Sequence, residues 1–295
     1  RHPPRAGRQS RDRGADSLSR TMKKLLFPLL LLLPLCAAVA EPPKRIISLA
    51  PHLTEMLFEI GAGEQLVGTV SYSNYPEAAT RIPVIGSYNR LDLEAILAQR
   101  PDLILGWESG NATAELERLR ALGIPLHISE PRKLEDVATV MESLGTLIGS
   151  EQQAKRRASA YRQRLQQLRQ QYQQQRPLRV FYQVWNRPLI TINGEQIISH
   201  VIELCGGINV FANLDSLSPQ ISVEAVLERD PQVIVASGMD ASRPEWLDGW
   251  SHYPTLQAVQ QGDLYHVPPD ILQRHGPRLL QGAEQLCKAL QKARE

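Results

Sequence analysis

The side chains of this chain best suited to recognising a ligand are aromatic rings placed directly after stretches that read as β-strands. Tyr72 and Tyr75 follow the second such stretch, Tyr88 follows the third, Trp107 closes the fourth, and Trp185 ends the first strand of the second half. In doubly wound α/β sheets, ligands lie beyond the carboxyl ends of the strands. Aromatic residues make up only 5% of the chain, so their concentration at those ends marks a surface for a large, partly apolar ligand. The rings supply flat area and the tyrosine hydroxyls supply polar tips. Near the other terminus, Asp270-Ile271-Leu272-Gln273-Arg274 follows the last strand and a Pro-Pro corner and precedes a helix carrying Arg278. This segment offers a carboxylate and a guanidinium to the polar groups of a ligand.

Other chemistries find no support in the sequence. Gly61-Ala62-Gly63 begins like a dinucleotide fingerprint, but Leu66 occupies the third glycine position and the preceding residues read as helix. Walker loops, nucleophile elbows and His-Glu-x-x-His motifs are missing. His52, His127, His200, His252, His266 and His275 show no metal-ligand spacing. No catalytic or metal-ligating residue is expected. The sequon Asn111-Ala112-Thr113 is not expected to be glycosylated behind a bacterial-type leader.

The elements that must position the rings alternate in type. Residues 45–49, 67–70, 84–85, 102–105 and 126–128 read as strands, separated by helical patterns at 54–60, 93–99 and 114–122. Gly61 and Gly123 stand where helix C-caps belong. The second half repeats the scheme, with strands near 180–184, 189–192, 233–236 and 264–267, and helices near 196–204, 223–227 and 276–292. Such alternation implies parallel sheets covered on both faces. The expected organisation is an α/β lobe over 41–147, a single long helix within 148–176, and a second α/β lobe over 177–295.

The helix between the halves is rich in Gln and Arg and lacks Gly and Pro. Its apolar residues are Ala154, Ala158, Tyr161, Leu165, Leu168 and Tyr172, a spacing of four and three that gives one narrow buried stripe. At 1.5 Å per residue it predicts a rod of about 37 Å spanning the back of two lobes. A dimerising coiled coil would want larger aliphatic residues at most seam positions. A weak internal repeat supports two lobes. Leu93-Glu94-Ala95-Ile96-Leu97 leading to Pro101-Asp102-Leu103-Ile104-Leu105 recurs as Val223-Glu224-Ala225-Val226-Leu227 leading to Pro231-Gln232-Val233-Ile234-Val235. Glu94 and Glu224 therefore hold equivalent places, beyond what first-turn carboxylates on a helix dipole explain.

The first forty residues read as an address. Met22-Lys23-Lys24, an apolar run and Ala38-Val39-Ala40 make a secretory signal peptide over 22–40. Residues 1–21 are Arg-rich and read as a non-native extension. Leu35 before Cys36 argues against a lipid anchor. The forty residues carry eight of the 33 Lys and Arg and two of the 31 Asp and Glu, leaving a net charge of −4 on the rest. A mildly acidic body argues against nucleic acid as a partner. The remaining cysteines, Cys205 and Cys287, either bridge in an oxidising compartment or stay as two buried thiols.

Taken together, these residues resemble the helical-backbone class (class III) of periplasmic substrate-binding proteins, and within it the cobalamin-binding branch serving ABC importers. The resemblance is carried by Arg45-Ile46-Ile47-Ser48-Leu49-Ala50-Pro51, Ser71-Tyr72-Ser73-Asn74-Tyr75-Pro76, Arg100-Pro101-Asp102-Leu103-Ile104, Glu203-Leu204-Cys205-Gly206-Gly207 and Glu284-Gln285-Leu286-Cys287. It implies a monomeric periplasmic carrier that binds vitamin B12 as cargo, not as a cofactor. Tyr72, Tyr88 and Trp107 would contact the corrinoid from the first lobe, and Asp270 to Arg274 from the second. It also implies a Cys205–Cys287 disulfide. Glu94 and Glu224 would dock one lobe each onto a permease dimer that works with cytoplasmic ATPase subunits. Three positions depart from the pattern: Tyr88 and Ser218 stand where Trp is expected, and Ile271 replaces an aromatic residue, with Trp185 available to compensate. Within the class, haem and ferric siderophores are the rival ligands. From other classes, the rivals are an exported α/β enzyme and a dimer formed through the Gln-rich helix.

Overall fold

Residues 46–48, 103–106, 180–183 and 233–236 lie in short strands and are buried on both sides, as central parallel strands covered by helices must be. The computed structural model describes residues 41–87, 90–172, 174–239 and 241–295. The expected leader and Tyr88 lie outside the described residues. In the first half, β1 (Ile46–Ser48) is followed by α1 (Pro51–Glu59), β2 (Leu66–Gly68), a small antiparallel hairpin of β3 (Gly86–Ser87) and β4 (Arg90–Leu91), α2 (Leu93–Ala98), β5 (Leu103–Trp107), α3 (Thr113–Ala121), β6 (Leu126–Ser129) and α4 (Leu134–Ile148). Next comes α5 (Glu151–Tyr172). The second half contains β7 (Leu178–Gln183), α6 (Ile197–Leu204), β8 (Gly207–Asn209), α7 (Val223–Arg229), β9 (Val233–Ala236), α8 (Gln257–Gln261), β10 (Leu264–His266), α9 (Pro269–Leu272) and α10 (Leu279–Lys292).

The two sheets have one topology. The first runs β2-β1-β5-β6 and the second β10-β9-β7-β8, all pairs parallel. Counted from its own first strand and read from opposite edges, each sheet has the order second, first, third, fourth. The repeat read from the sequence falls on equivalent units, α2–β5 and α7–β9. Asp92 caps α2 by accepting from the Ala95 N–H at 3.0 Å, and Ser222 caps α7 by accepting from Ala225 at 3.2 Å. Glu94 and Glu224 are both exposed, one residue inside these helices.

Strand alternation sorts the core. Ile46, Leu103 and Leu105 face one cluster, while Ile47 and Ile104 face a second beneath α2 and α3. In the other sheet, Leu178, Val180, Tyr182, Val233 and Val235 join the first of those clusters, and Phe181, Ile234 and Ala236 face a third. The inner faces of both sheets thus share one continuous core, built with α1, α4, α5, α6 and α10. Residues Glu41–Glu295 form a single packed body.

The six residues buried on α5 are the stripe residues Ala154, Ala158, Tyr161, Leu165, Leu168 and Tyr172. The helix is tied to both halves by ion pairs: Arg162 forks onto Glu142 of α4 at 2.6 and 2.7 Å, Arg157 meets Glu59 of α1 at 3.3 Å, and Arg164 meets Glu284 of α10 at 2.6 Å. Cys205 and Cys287 form a disulfide joining the end of α6 to α10. Two expected strands are reduced: 84–85 contributes one bridge, Thr69 to Val84, and 189–192 contributes only bridges from Ile190 to Trp185 and Gln220. Pro83 and Pro188 flank these segments, and a residue without an N–H interrupts a ladder. The strand β8 was not expected, because Gly-Ile-Asn offers only one β-branched residue.

Candidate ligand-binding site

The site is built where the strands of both sheets end. After β1 the chain turns through Ala50 into α1, which begins with Pro51 and therefore spends no N–H at its first position. His52 sits on that first turn. Trp107 ends β5 and is fixed by Asn111, whose Oδ1 accepts from the Trp107 N–H at 2.8 Å while its Nδ2 donates to the Leu49 carbonyl at 2.9 Å. One buried side chain thereby pins the ends of β1 and β5 together at the switch point of the sheet. Gly110 makes room for the indole, since a Cβ there would lie 1.8 Å from the ring. The Trp107 ring meets His52 edge-on at 5.1 Å, and His275 of the second half at 5.1 Å.

Beside this cluster, α1 contributes a carboxylate that is almost wholly buried. Glu55 Oε1 accepts from Arg274 at 2.8 Å and from Arg278 at 2.7 Å, and Oε2 accepts from Arg278 Nε at 2.9 Å. Arg274 also donates to the Tyr72 carbonyl at 2.8 Å and to Asp270 at 2.6 Å. Asn74 reaches Asp270 at 3.4 Å, and the Arg278 guanidinium lies 3.9 Å above the Tyr75 ring. Two carboxylates and two guanidiniums form a neutral set, which is how buried charge becomes tolerable. Tyr72 adopts a φ of +69°, a region that strains a non-glycine residue, and its carbonyl is held there by Arg274.

Burial, with smaller contributions from His275 and Arg274, holds His52 well below the ordinary histidine range. Burial alone pushes His275 down to about 4. Both rings are neutral near pH 7. A cavity of about 110 Å³ opens at this seam, lined by Trp107, Glu130 and Arg132 from the first half and by Gln196, Ser218 and His275 from the second. Arg132 and Glu195 join the halves here at 3.8 Å. That volume accommodates a few waters or one ligand substituent. A ligand of many rings must lie against the exposed phenols or part the halves.

The expected residues are thus distributed unevenly. Tyr72 is 54% exposed and Tyr75 45%, so their rings are available to a ligand. Trp107 is half-buried at the seam. Trp185 is half-buried at the end of β7, with its indole N–H bound to the Arg187 carbonyl at 3.0 Å. Asp270 and Arg274 are drawn into the network with Glu55, and Gln273 is half-buried beside it. Two expectations need correction. Ile271 and Leu272 are 8% and 0% exposed and belong to the central core. A single turn of α9 aims successive side chains in different directions, so five consecutive residues cannot all face one ligand. Sequence reasoning missed His52, Glu55, Asn111, Gln196 and His275. The usable signals were a carboxylate inside a helix otherwise lined by Leu53, Met56 and Leu57, and two arginines four positions apart at 274 and 278.

Among the described residues, no group of three or more His, Cys, Asp or Glu side chains could hold a metal ion, and no helix is long and apolar enough to cross a membrane. Residues 46–271 match the family described as periplasmic binding protein. The chain belongs to that family. It is 37% identical over 266 residues to the vitamin B12-binding protein of Vibrio cholerae, covering 90% of this chain and 96% of the relative. The vitamin B12-binding protein of Yersinia pestis is likewise 37% identical over 270 residues, covering 90% and 94%. The crystal structure of the periplasmic vitamin B12 binding protein of Vibrio cholerae superposes with a TM-score of 0.80, over 86% of this chain and 99% of that one. A periplasmic haem-binding protein from Roseiflexus sp. RS-1 in apo form superposes with a TM-score of 0.76 at 25% identity, over 85% and 99%. These neighbours are class III periplasmic binding proteins, and the two-sheet architecture with one long helix is the architecture of that class. Members of the family bind solutes; it is not a family of enzymes.

Proposed function

We propose that this chain is a periplasmic carrier that captures vitamin B12 at the seam between its two halves and delivers it, chemically unchanged, to an ABC importer. The observation that carries this reading is 37% identity to vitamin B12-binding proteins along nearly the whole length, with Tyr72 and Trp107 standing at strand ends where a ligand would lie. Capture without chemistry is supported by the state of the titratable groups: Glu55, Asp270, Arg274 and Arg278 are engaged with one another. The corrinoid would rest on Tyr72, Tyr88 and Trp107, with Trp185, Gln273 and the Asp270–Arg274 pair forming the second half of the surface. The leader over 22–40 would direct export, and the two halves over 41–147 and 177–295 would act as the jaws of one monomer. Exposed Glu94 and Glu224 would meet a twofold permease dimer, one carboxylate per half.

The test is to mix purified protein with cyanocobalamin and pass it through a desalting column. Co-elution of the red chromophore, with heat released on titration at micromolar concentration, is the expected result. Tyr72→Ala should weaken binding at least tenfold with the fold intact, because that ring is largely exposed. Elution of the protein free of cobalamin would overturn the assignment. The resemblance to the haem-binding protein from Roseiflexus favours haem as the second reading. A Soret band that shifts on adding hemin, with no uptake of cobalamin, would select it.

A further inference from the structure

Trp107 is touched by one imidazole from each half of the molecule. The His52 ring stands at 86° to the indole and the His275 ring at 74°, both 5.1 Å away, and the two imidazoles are 6.0 Å apart. Both histidines are buried, at 2% and 4% exposure. Among the described residues, His52 Nε2 and His275 Nδ1 have no hydrogen-bond partner. We propose that His52 and His275 are positioning residues for Trp107, clasping its ring from opposite halves as neutral imidazoles, so that the binding wall and the seam beneath it stay formed only while both are uncharged.

The hydrogen bonding around His275 specifies the neutral form. Gln196, the N-cap of α6, accepts the Ile198 N–H on its Oε1 at 2.7 Å, which fixes the orientation of its amide. Its Nε2 then faces His275 Nε2 at 3.2 Å. An amide nitrogen only donates, so His275 Nε2 must accept and the ring proton resides on Nδ1. Protonating Nε2 would set donor against donor.

The carboxylates nearest the clasp are already engaged. Arg274 acts on His52 directly, and Arg278 lies on the same network. The carboxylates of Glu55 on α1 and Asp270 on α9 are already taken by those two arginines. At the adjoining cavity, Glu130 accepts from Ser109 N and Oγ at 2.8 and 2.9 Å, and Glu195 pairs with Arg132. His275 Nε2 meets only the Gln196 amide, and His52 Nε2 meets no partner among the described residues. A proton on either ring therefore brings no carboxylate hydrogen bond, and an unpaired buried charge is costly.

The direction of the pH effect follows. Both histidines sit below the ordinary value of 6.5 while the clasp is formed, His275 at about 4. Once the clasp opens and water enters, they return towards 6.5. The open form therefore binds more protons between those limits, and the clasp loses stability as pH falls from about 6.5 to about 4. Above that window both states are neutral and pH has no effect.

The decisive measurement is the emission of Trp107, taken as the difference between native protein and Trp107→Phe, from pH 7.5 to 3.5 with far-UV circular dichroism in parallel. The expected result is a step with its midpoint below 6, absent from the His52→Leu/His275→Leu variant. If that variant does not fold, His275→Gln alone should shift the midpoint by at least half a pH unit. The ligand arm, which rests on the carrier reading above, expects cyanocobalamin affinity of the native protein to fall at least tenfold across the same step. A flat emission profile in folded protein, or the same step in the histidine variants, would overturn the clasp. Constant affinity across the step would also overturn it. Failure to bind cyanocobalamin at any pH would instead remove the carrier reading, and the emission profile would still decide the clasp.

Discussion

Glu55 and Arg278 meet across the seam through two hydrogen bonds, of 2.7 and 2.9 Å, although 223 positions separate them in the chain. With Arg274 on the same carboxylate, this contact fastens the first helix of one half to the segment leading into the last helix of the other. It is a structural strut lying beside the proposed ligand surface.

Removing the carboxylate alone should therefore be severe. Glu55→Gln leaves Arg278 without its hydrogen-bonded counter-charge and Arg274 with Asp270 alone, and breaking a buried pair from one side costs about 3–5 kcal/mol. Urea unfolding should show this as a lowered midpoint. A midpoint within error of native would mean that the network is solvated and contributes nothing.

The contact between α4 and α5 depends on the absence of a side chain at one position. A Cβ on Gly145 would lie 2.3 Å from the Cβ of Ala154, the first residue of the α5 stripe. Gly145→Val should destabilise by about 1–3 kcal/mol through overpacking. Adding Ala154→Gly should recover part of that loss. Thermal melts of the two variants check both statements.

The Cys205–Cys287 bridge spans 82 positions. In the loop-entropy description, closing such a span contributes about 4 kcal/mol. Reduction with dithiothreitol, or Cys205→Ser/Cys287→Ser, should lower the urea midpoint accordingly. An unchanged midpoint would show that the packing of α6 on α10 suffices alone.

Glu94 and Glu224 should affect delivery rather than capture. Both are exposed, and the caps of their helices come from Asp92 and Ser222. Glu94→Lys and Glu224→Lys should leave cyanocobalamin affinity unchanged and reduce uptake by vesicles carrying the importer. The double variant should be more severe than either alone. Unimpaired uptake with the double variant would dismiss these carboxylates as docking points.

Much of the fold was legible because its signals are local. Alternating apolar strands and amphipathic helices announced two parallel sheets, and the three–four spacing from Ala154 to Tyr172 named every buried residue of α5. Gly61 and Gly123 adopt the left-handed conformation expected of C-caps, with φ of +81° and +71°. Where a stretch carried a weak or contradictory local pattern, as at 189–192 beside Pro188 or in Gly-Ile-Asn, the reading failed. The candidate site was legible only in part. Exposed Tyr72 and seam-facing Trp107 followed from their places at strand ends, whereas Ile271 and Leu272 turned inward with the geometry of α9.

By itself, the sequence determined the architecture, the repeat that pairs Glu94 with Glu224, and the cysteines available to bridge, because each rests on periodicity or on residue type. Tertiary structure alone decided that the two halves share one core, that Glu55 holds Arg274 and Arg278, and that His52 and His275 both meet the Trp107 ring edge-on. Glu55 lies 219 and 223 positions from its two arginines, and Trp107 lies far along the chain from either histidine, beyond the reach of any short-range pattern. Only folding brings them within hydrogen-bond or ring-contact distance, where burial holds His52 and His275 neutral.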